Sequence, residues 1–159
     1  MTCHPVSLPG LLAALLIAAA PVAQAQDAAK ASRFYEDALQ RYEKRDIPGA
    51  IVQLKNALQA DKNQLPVHVL LGKALLADSQ PSAAEFEFAE AIRLGVNRAE
   101  VAVALAMAMN AQGKQPQMLD DPRLQPAGLP PGIQQQLVLE RALAQSDLGD
   151  TKGAMNDHT

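Results

Sequence analysis

Apolar residues recur along this chain with the spacing of a helix face, and the pattern itself repeats. Ala50, Leu54, Ala57 and Leu58 stand at i, i+4, i+7 and i+8, which places all four on one side of a helix. Thirty-four residues later, small residues fall on small ones and large apolar residues on large ones. The corresponding pairs are Ala38 and Gly72, Ala50 and Ala84, Leu54 and Phe88, Ala57 and Ala91, and Leu58 and Ile92. Since two helices approach closely where small side chains face each other, the pattern predicts repeated pairs of antiparallel helices.

Turn and capping residues set the predicted boundaries of the first two units. Pro48 stands where a helix tolerates the missing N–H, Ser82 is the predicted N-cap of a later helix, and Gly95 is a predicted C-cap. The predicted helices run over about 28–44, 48–60, 65–77 and 82–94.

The third and fourth units are less regular. The pattern predicts a helix over 98–111, a turn at Gly113 and a stunted helix over 115–120, because the prolines that follow exclude a regular helix over 121–132. In the fourth unit we predict a helix over 134–148, with Ala142 at the small position, a turn at Gly149–Asp150 and a second helix beginning over 152–155. The last repeat is therefore cut in half, and the chain is either a truncated product of a longer gene or a short natural protein with a frayed end.

The period of 34 residues with this size pattern resembles the tetratricopeptide repeat (TPR), which is built from two antiparallel helices per unit. We therefore expect an all-α fold, an α-solenoid with two regular repeats, one irregular repeat and one truncated repeat after a signal peptide. The predicted segments are a signal peptide over 1–25, a polar lead-in over 26–30 and a TPR domain over 31–159. Its repeats are predicted at about 31–64, 65–98, 99–120 and 133–159, with a Pro-rich loop over 121–132.

The first residues have the pattern of a secretory signal. An apolar run over 8–20 is too short to be a confident membrane span, and Ala23–Gln24–Ala25 offers a small-x-small cleavage site with Gln26 as the first mature residue. The alternative is an uncleaved apolar N-terminal helix. The single cysteine, Cys3, precedes the apolar run, so we expect a mature protein that is cysteine-free and not lipidated.

Composition and residue spacing exclude several classes of function. The chain has 14 basic and 17 acidic residues, which argues against a nucleic-acid partner held by phosphate neutralisation. His4, His68 and His158 lie far apart without metal-ligand spacing, and no nucleophile elbow or phosphate loop is present. We expect His68, at a core-facing helix position, to be packed or half-exposed rather than a ligand, and Glu85, Glu87 and Glu90 to lie on a solvated helix edge. We expect no enzyme activity and no cofactor.

The amino-acid sequence of the repeats shows a closer resemblance to one family. Residues 31–39 and 42–44, followed by residues 50–58 and 69–76, resemble the start of the TPR-repeat protein of the PEP-CTERM/exosortase system. The resemblance implies a bacterial, exported protein linked to exopolysaccharide genes, of which this chain would be the N-terminal part. Members of that family are commonly described as lipoproteins, and this chain lacks the cysteine in the matching place.

A peptide-binding groove is the remaining candidate site. In stacked helix pairs the first helix of each unit lines the concave side, and such a strip suits an amphipathic helix or an extended peptide. The alternative is that these residues simply pack against neighbouring helices or against the missing repeats. The predicted groove residues are Tyr35, Leu39, Tyr42, Val69, Lys73, Leu76, Val103, Met107 and Asn110, continued in the fourth unit by Leu139, Leu143 and Ser146.

The sequence thus predicts a periplasmic scaffold of a Gram-negative bacterium, which binds envelope proteins or peptides and meets the membrane only indirectly or through an uncleaved signal segment. Two alternatives remain: a chaperone-like assembly factor that grips unfolded or C-terminal segments, and an accessory domain of a longer enzyme. Lys73 alone is too little for a basic carboxylate clamp, which counts against the first alternative.

Overall fold

The structure, a computed structural model, describes Met1 and residues 20–156, with side chains described at Met1 and over residues 22–149. Several features named above therefore lie outside the described residues. These are residues 8–19 of the apolar run, Cys3, His4, His158, Thr159 and the side chains of residues 152–155.

Residues 20–156 fold into seven α-helices and one 3₁₀ turn, without a strand. The helices are α1 (Ala20–Glu43), α2 (Ile47–Ala60), α3 (Leu65–Ala77), α4 (Pro81–Arg93), α5 (Arg98–Ala111), α6 (Gln115–Asp120) and α7 (Pro131–Asn156), with the 3₁₀ turn at Pro122–Leu124. The predicted all-α fold is confirmed, and the bounds of α2 to α6 agree with the predicted ones within one residue.

Helices that follow each other in the chain pack against each other. The helices α1, α3, α5 and α7, which we call the first helices, also contact each other in that order. One continuous core runs through the helices, and its fully buried large side chains include Leu54, Leu71, Phe88 and Leu105. The first helices therefore form one row within the molecule, with the second helices α2, α4 and α6 paired to them.

Three turns between paired helices share one backbone geometry. Arg45, Ser79 and Gly113 have positive φ angles of 65°, 58° and 73°. At each, the N–H of the left-handed residue and the N–H of the residue after it bond back to carbonyls of the last helical turn, which is the Schellman arrangement. The three positions are 34 residues apart, so the backbone repeats with the period of the sequence.

Gly72 marks the closest approach inside the second helix pair. A Cβ built on Gly72 would lie 2.5 Å from Cε1 of the Phe88 ring, so the missing side chain makes room for the phenyl group. The equivalent residues of the first pair are Ala38 and Leu54, both fully buried. The two pairs therefore fill the equivalent space differently: a glycine faces a phenylalanine in the second pair, whereas an alanine and a leucine stand at these positions in the first.

Helix α1 begins earlier than predicted. It starts at Ala20 rather than near residue 28, so the polar lead-in and the predicted cleavage site are helical. Residues 20–30 contain no proline after Pro21 and no glycine, and their alanines and glutamines favour a helix. The side chains of residues 22–27 are exposed, so this extension makes no core.

The predicted Ser82 N-cap is wrong. Gln80 caps α4 without a side-chain hydrogen bond, and Pro81 is the first helical residue, so Ser82 already lies inside the helix. Proline suits this first position because its missing N–H would have no helical partner there.

The fourth unit also differs from its prediction. Helix α7 continues through Gly149 and Asp150 to Asn156, without the predicted turn. As a result no second helix covers Ala142, which is exposed, whereas Leu137 and Ala144 are fully buried. These buried residues face the preceding unit, since α7 packs against α5 and α6.

Candidate functional site

Each of the first helices carries an exposed residue at the same position of the repeat. Leu39, Lys73, Met107 and Leu143 are all exposed and stand 34, 34 and 36 residues apart. Their large apolar members are 37%, 44% and 50% exposed, for Leu39, Met107 and Leu143. We call these four residues the exposed row. Because the helices that carry them contact each other in sequence, the row crosses all four first helices.

The other predicted groove residues are more deeply placed. Tyr35, Tyr42, Leu76 and Val103 are half-buried and pack against the core, whereas Val69 is only 8% exposed. These side chains form the floor beneath the exposed row rather than its surface. In the fourth unit Leu139 is 60% exposed and Ser146 is exposed, because α7 has fewer neighbours.

Asn110, the last predicted groove residue, joins two of the first helices. Its Nδ2 donates to the backbone oxygen and to Oε2 of Glu140, both at 3.1 Å. Its Oδ1 is buried and has no hydrogen-bond partner in the part of the chain that the structure describes. The amide therefore fixes α5 to α7 and is committed to that contact.

His68 is a core residue, as predicted, and its partners explain why. The side chain is 6% exposed, with Nδ1 2.6 Å from Glu87 Oε2 and Nε2 2.9 Å from the Lys62 carbonyl oxygen. The group ties α3 to α4 and to the loop before α3.

The predicted solvated edge of Glu85, Glu87 and Glu90 is wrong. All three are partly buried: Glu87 bonds His68, Glu90 accepts from Arg93, and Glu85 accepts from two residues of the turn after α5. Helical spacing alone placed them on the outer face, but each meets a polar partner that packs beside it.

Glu85 is the acceptor that joins the second unit to the third. Its Oε2 lies 2.6 Å from Gln112 Nε2 and 2.7 Å from Lys114 Nζ. Partial burial acts to raise the pKa of Glu85, but the hydrogen bonds from Lys114 and Gln112 outweigh it, so this pKa lies below its ordinary value. The carboxylate is thus held in its charged form.

The Pro-rich segment 121–130 is an ordered element of the molecule. Partial burial acts to raise the pKa of Asp121, but hydrogen bonds from the side chain and backbone N–H of Arg123 outweigh it, so this pKa lies below its ordinary value. The same carboxylate caps the 3₁₀ turn. Leu124 and Leu129 are buried.

The side chain of Arg98, at the start of α5, forms hydrogen bonds with the backbone of this segment. Its guanidinium donates to the carbonyl oxygens of Gln125 and Ala127, each at 2.7 Å, and to that of Arg123 at 3.4 Å. The sequence carried no signal for these bonds because they depend on the path of an irregular loop.

Other candidate features are weaker than the exposed row. A depression of about 560 Å³ lies at the start of α4, lined by residues 80–83, Phe86 and Glu87, and one of about 310 Å³ lies between α1 and α2. Among the described residues, no group of three or more His, Cys, Asp or Glu side chains could hold a metal ion. No helix in the described ranges has both the length and the apolar content to cross a membrane.

No protein-family model matches the chain, and no curated protein matches it. Function is therefore inferred from the packing and surface of the molecule, together with the resemblance of its repeats. The exposed row runs across all four first helices, whereas Val52 and Phe86, which are also exposed and 34 residues apart, lie on two of the second helices.

Proposed function

We propose that this chain is a non-enzymatic α-solenoid scaffold of the TPR type, which binds a segment of a partner protein across its first helices. The repeated left-handed turns at Arg45, Ser79 and Gly113 support this architecture, as do the successive contacts of the first helices. In stacked helix pairs the first helices line the extended surface that such proteins use for binding.

The exposed row is the observation that carries the proposal. Leu39, Met107 and Leu143 keep 37–50% of their surface in solvent although a core is available beside them. Three exposed large apolar side chains on neighbouring helices, with Lys73 between Leu39 and Met107, are compatible with a protein interaction site. Tyr35 and Tyr42 lie below the row and are half-buried. Because they pack on the core, they restrict the movement of the surface that carries the row.

The cellular setting of the proposal is the periplasm of a Gram-negative bacterium, with partners among envelope proteins or peptides involved in exopolysaccharide assembly or export. The leader pattern and the PEP-CTERM/exosortase resemblance support this part. Cleavage after Ala25 would remove, among the described side chains, only Met1 and residues 22–25, all of which are exposed. Removal of the leader is therefore compatible with the packing of α1.

The test compares the exposed row with equally exposed apolar residues elsewhere. Leu39→Ser, Met107→Ser and Leu143→Ser are combined in one variant. The matched control combines Val52→Ser and Phe86→Ser, which lie on α2 and α4 and are 56% and 62% exposed. Both variants and the wild type are used as bait for envelope proteins, and circular dichroism checks that each is folded.

We expect the row variant to lose partners that the control variant keeps. The tyrosines are left in place, because their half-buried position makes a loss of binding and a loss of folding difficult to separate. Equal capture by the wild type and the row variant, with both folded, would contradict binding on the first helices.

A further inference from the structure

The charged residues beside the exposed row are mostly acidic. On an α-helix, residues at i−3 and i+4 lie within about 60° of residue i, on the same face. Leu39 has Glu36 and Glu43 at these two positions. Leu143 has Glu140 and Asp147 there, so the two outermost first helices carry the same acidic–Leu–acidic arrangement.

The inner helices complete the pattern. Met107 on α5 has Glu100 seven residues before it, again on the same face, whereas Lys73 on α3 is itself the charged member of the row. Among the described side chains, the face within about 60° of the row thus holds five acidic residues and one basic residue. The whole chain has 17 acidic and 14 basic residues, so this face is far more acidic than the average surface.

Basic residues of α1 do not cancel this charge. Arg33 and Lys44 stand about 120–140° around the helix from Leu39, and Arg41 is paired with Asp37 at 3.1 Å and Asp46 at 2.9 Å. Glu36, Glu43 and Glu100 are exposed. On α7, Glu140 is partly buried and accepts from Asn110 Nδ2, and the exposed Asp147 accepts from Gln115 Nε2. A ligand on the row therefore meets exposed carboxylates on α1 and α5, the hydrogen-bonded carboxylates of α7 and the ammonium group of Lys73.

We infer that the bound segment is a basic amphipathic helix of another protein. This inference rests on the proposed function and adds the charge of the partner. The apolar side of that helix packs on Leu39, Met107 and Leu143, and its Lys or Arg residues face the carboxylates of α1 and α7. Such complementarity accelerates association and selects the partner, since like charges placed opposite each other are unfavourable.

Lys73, the single basic residue of the row, restricts where the bound segment carries its positive charge. A basic residue at the middle of the segment would face Lys73, so the middle of the segment is apolar or acidic and its positive charge is concentrated towards the ends. Acidic segments and free C-terminal carboxylates meet repulsion on most of the face, which excludes them as preferred ligands.

Two synthetic amphipathic peptides of about 18 residues test the charge of the partner. They share one leucine spacing and differ only in carrying Lys or Glu beside the apolar stripe near both ends. Binding to the full chain is measured by fluorescence anisotropy at low and at physiological salt. We expect the Lys peptide to bind at least tenfold more tightly at low salt and this preference to fall as salt screens the charges.

Matched variants locate the effect. Glu36→Gln, Glu43→Gln and Glu100→Gln are combined, because these side chains are exposed. Asp27→Asn, Asp78→Asn and Asp120→Asn, also exposed but away from the row, form a control with the same loss of charge. We expect the first variant to weaken binding of the Lys peptide about tenfold, as three exposed ion pairs would allow, and the control to change it less than twofold.

The outcomes separate the two proposals. Equal binding of the Lys and Glu peptides, abolished by serine at the exposed row, would overturn the charge inference and leave the binding face intact. Equal weakening by both charge variants would overturn the inference as well, because net charge alone would then explain the affinity. Failure of both peptides to bind would overturn the inference and count against the proposed function too.

Discussion

Gly72 and Phe88 show how a size pattern in the sequence becomes a contact. The sequence aligned Gly72 with Ala38 and Phe88 with Leu54, which predicted the pairing of a smaller with a larger residue. The structure adds that the ring of Phe88 occupies the space a Cβ on Gly72 would need. Alignment could not show this, because which large residue fills the gap depends on the rotamer of the phenyl group.

Replacement of Gly72 by alanine tests that contact through the sign of its effect. In the wild type, overpacking against Phe88 costs about 1–3 kcal/mol and exceeds the gain in helix propensity of about 1 kcal/mol. We expect Gly72→Ala to destabilise the chain in urea or thermal unfolding. In a Phe88→Leu background, which copies the pair Ala38 and Leu54, the same change should stabilise it. Destabilisation of similar size in both backgrounds would show that Phe88 is not the obstacle.

At the scale of elements, the prolines and glycines at helix ends were better predictors of helix boundaries than apolar periodicity. Pro48, Gly95 and Gly113 end or begin helices as predicted, since their backbone preferences are local. The ends of the chain were predicted less well. Helix α7 passes through Gly149, since a glycine within a helix costs only about 1 kcal/mol.

The irregular segment after α6 was expected to be a loop, and its anchor was not foreseeable. We predict that Arg98→Ala destabilises the chain by about 1–3 kcal/mol, because three carbonyl oxygens lose a charged donor. The segment 121–130 should become the first site of limited proteolysis and lose amide protection. Arg93→Ala, on an exposed arginine of α4, is the control. Unchanged protection over 121–130 in Arg98→Ala would mean that the buried Leu124 and Leu129 suffice to hold the loop.

At the scale of the whole molecule, polar contacts join neighbouring units in addition to the apolar core. The exposed row could be placed from the repeat alone, whereas the burial of Val69 and the bonds of Asn110 could not, because both depend on how closely neighbouring units pack. Glu85 likewise joins α4 to the turn after α5, an interaction that no local pattern encodes.

This contact predicts a dependence of stability on acid. Because the pKa of Glu85 lies below its ordinary value of 4.5, its stabilising effect is present above that value and is lost as the pH falls through the lowered pKa. We expect Glu85→Gln to be less stable than the wild type at pH 7 and to approach it below about pH 4 in urea unfolding. The pH-dependent part of the difference should shrink in a Lys114→Met background. A difference that stays constant from pH 7 to pH 3 would contradict this role of the carboxylate.

The step of 36 residues between Met107 and Leu143 has a further consequence. One additional residue inside a helix rotates everything after it by about 100°, so a helical insertion would carry each later apolar position out of line. Here the two surplus residues fall within a stretch where the irregular segment 121–130 can take them up, and α7 resumes with Leu143 and its flanking carboxylates in phase. The segment thus separates the register of α7 from that of the helices before it: a length change between Pro122 and Pro130 disturbs the local contacts of Arg98, Leu124 and Leu129, whereas one inside a helix also rotates every later position of that helix.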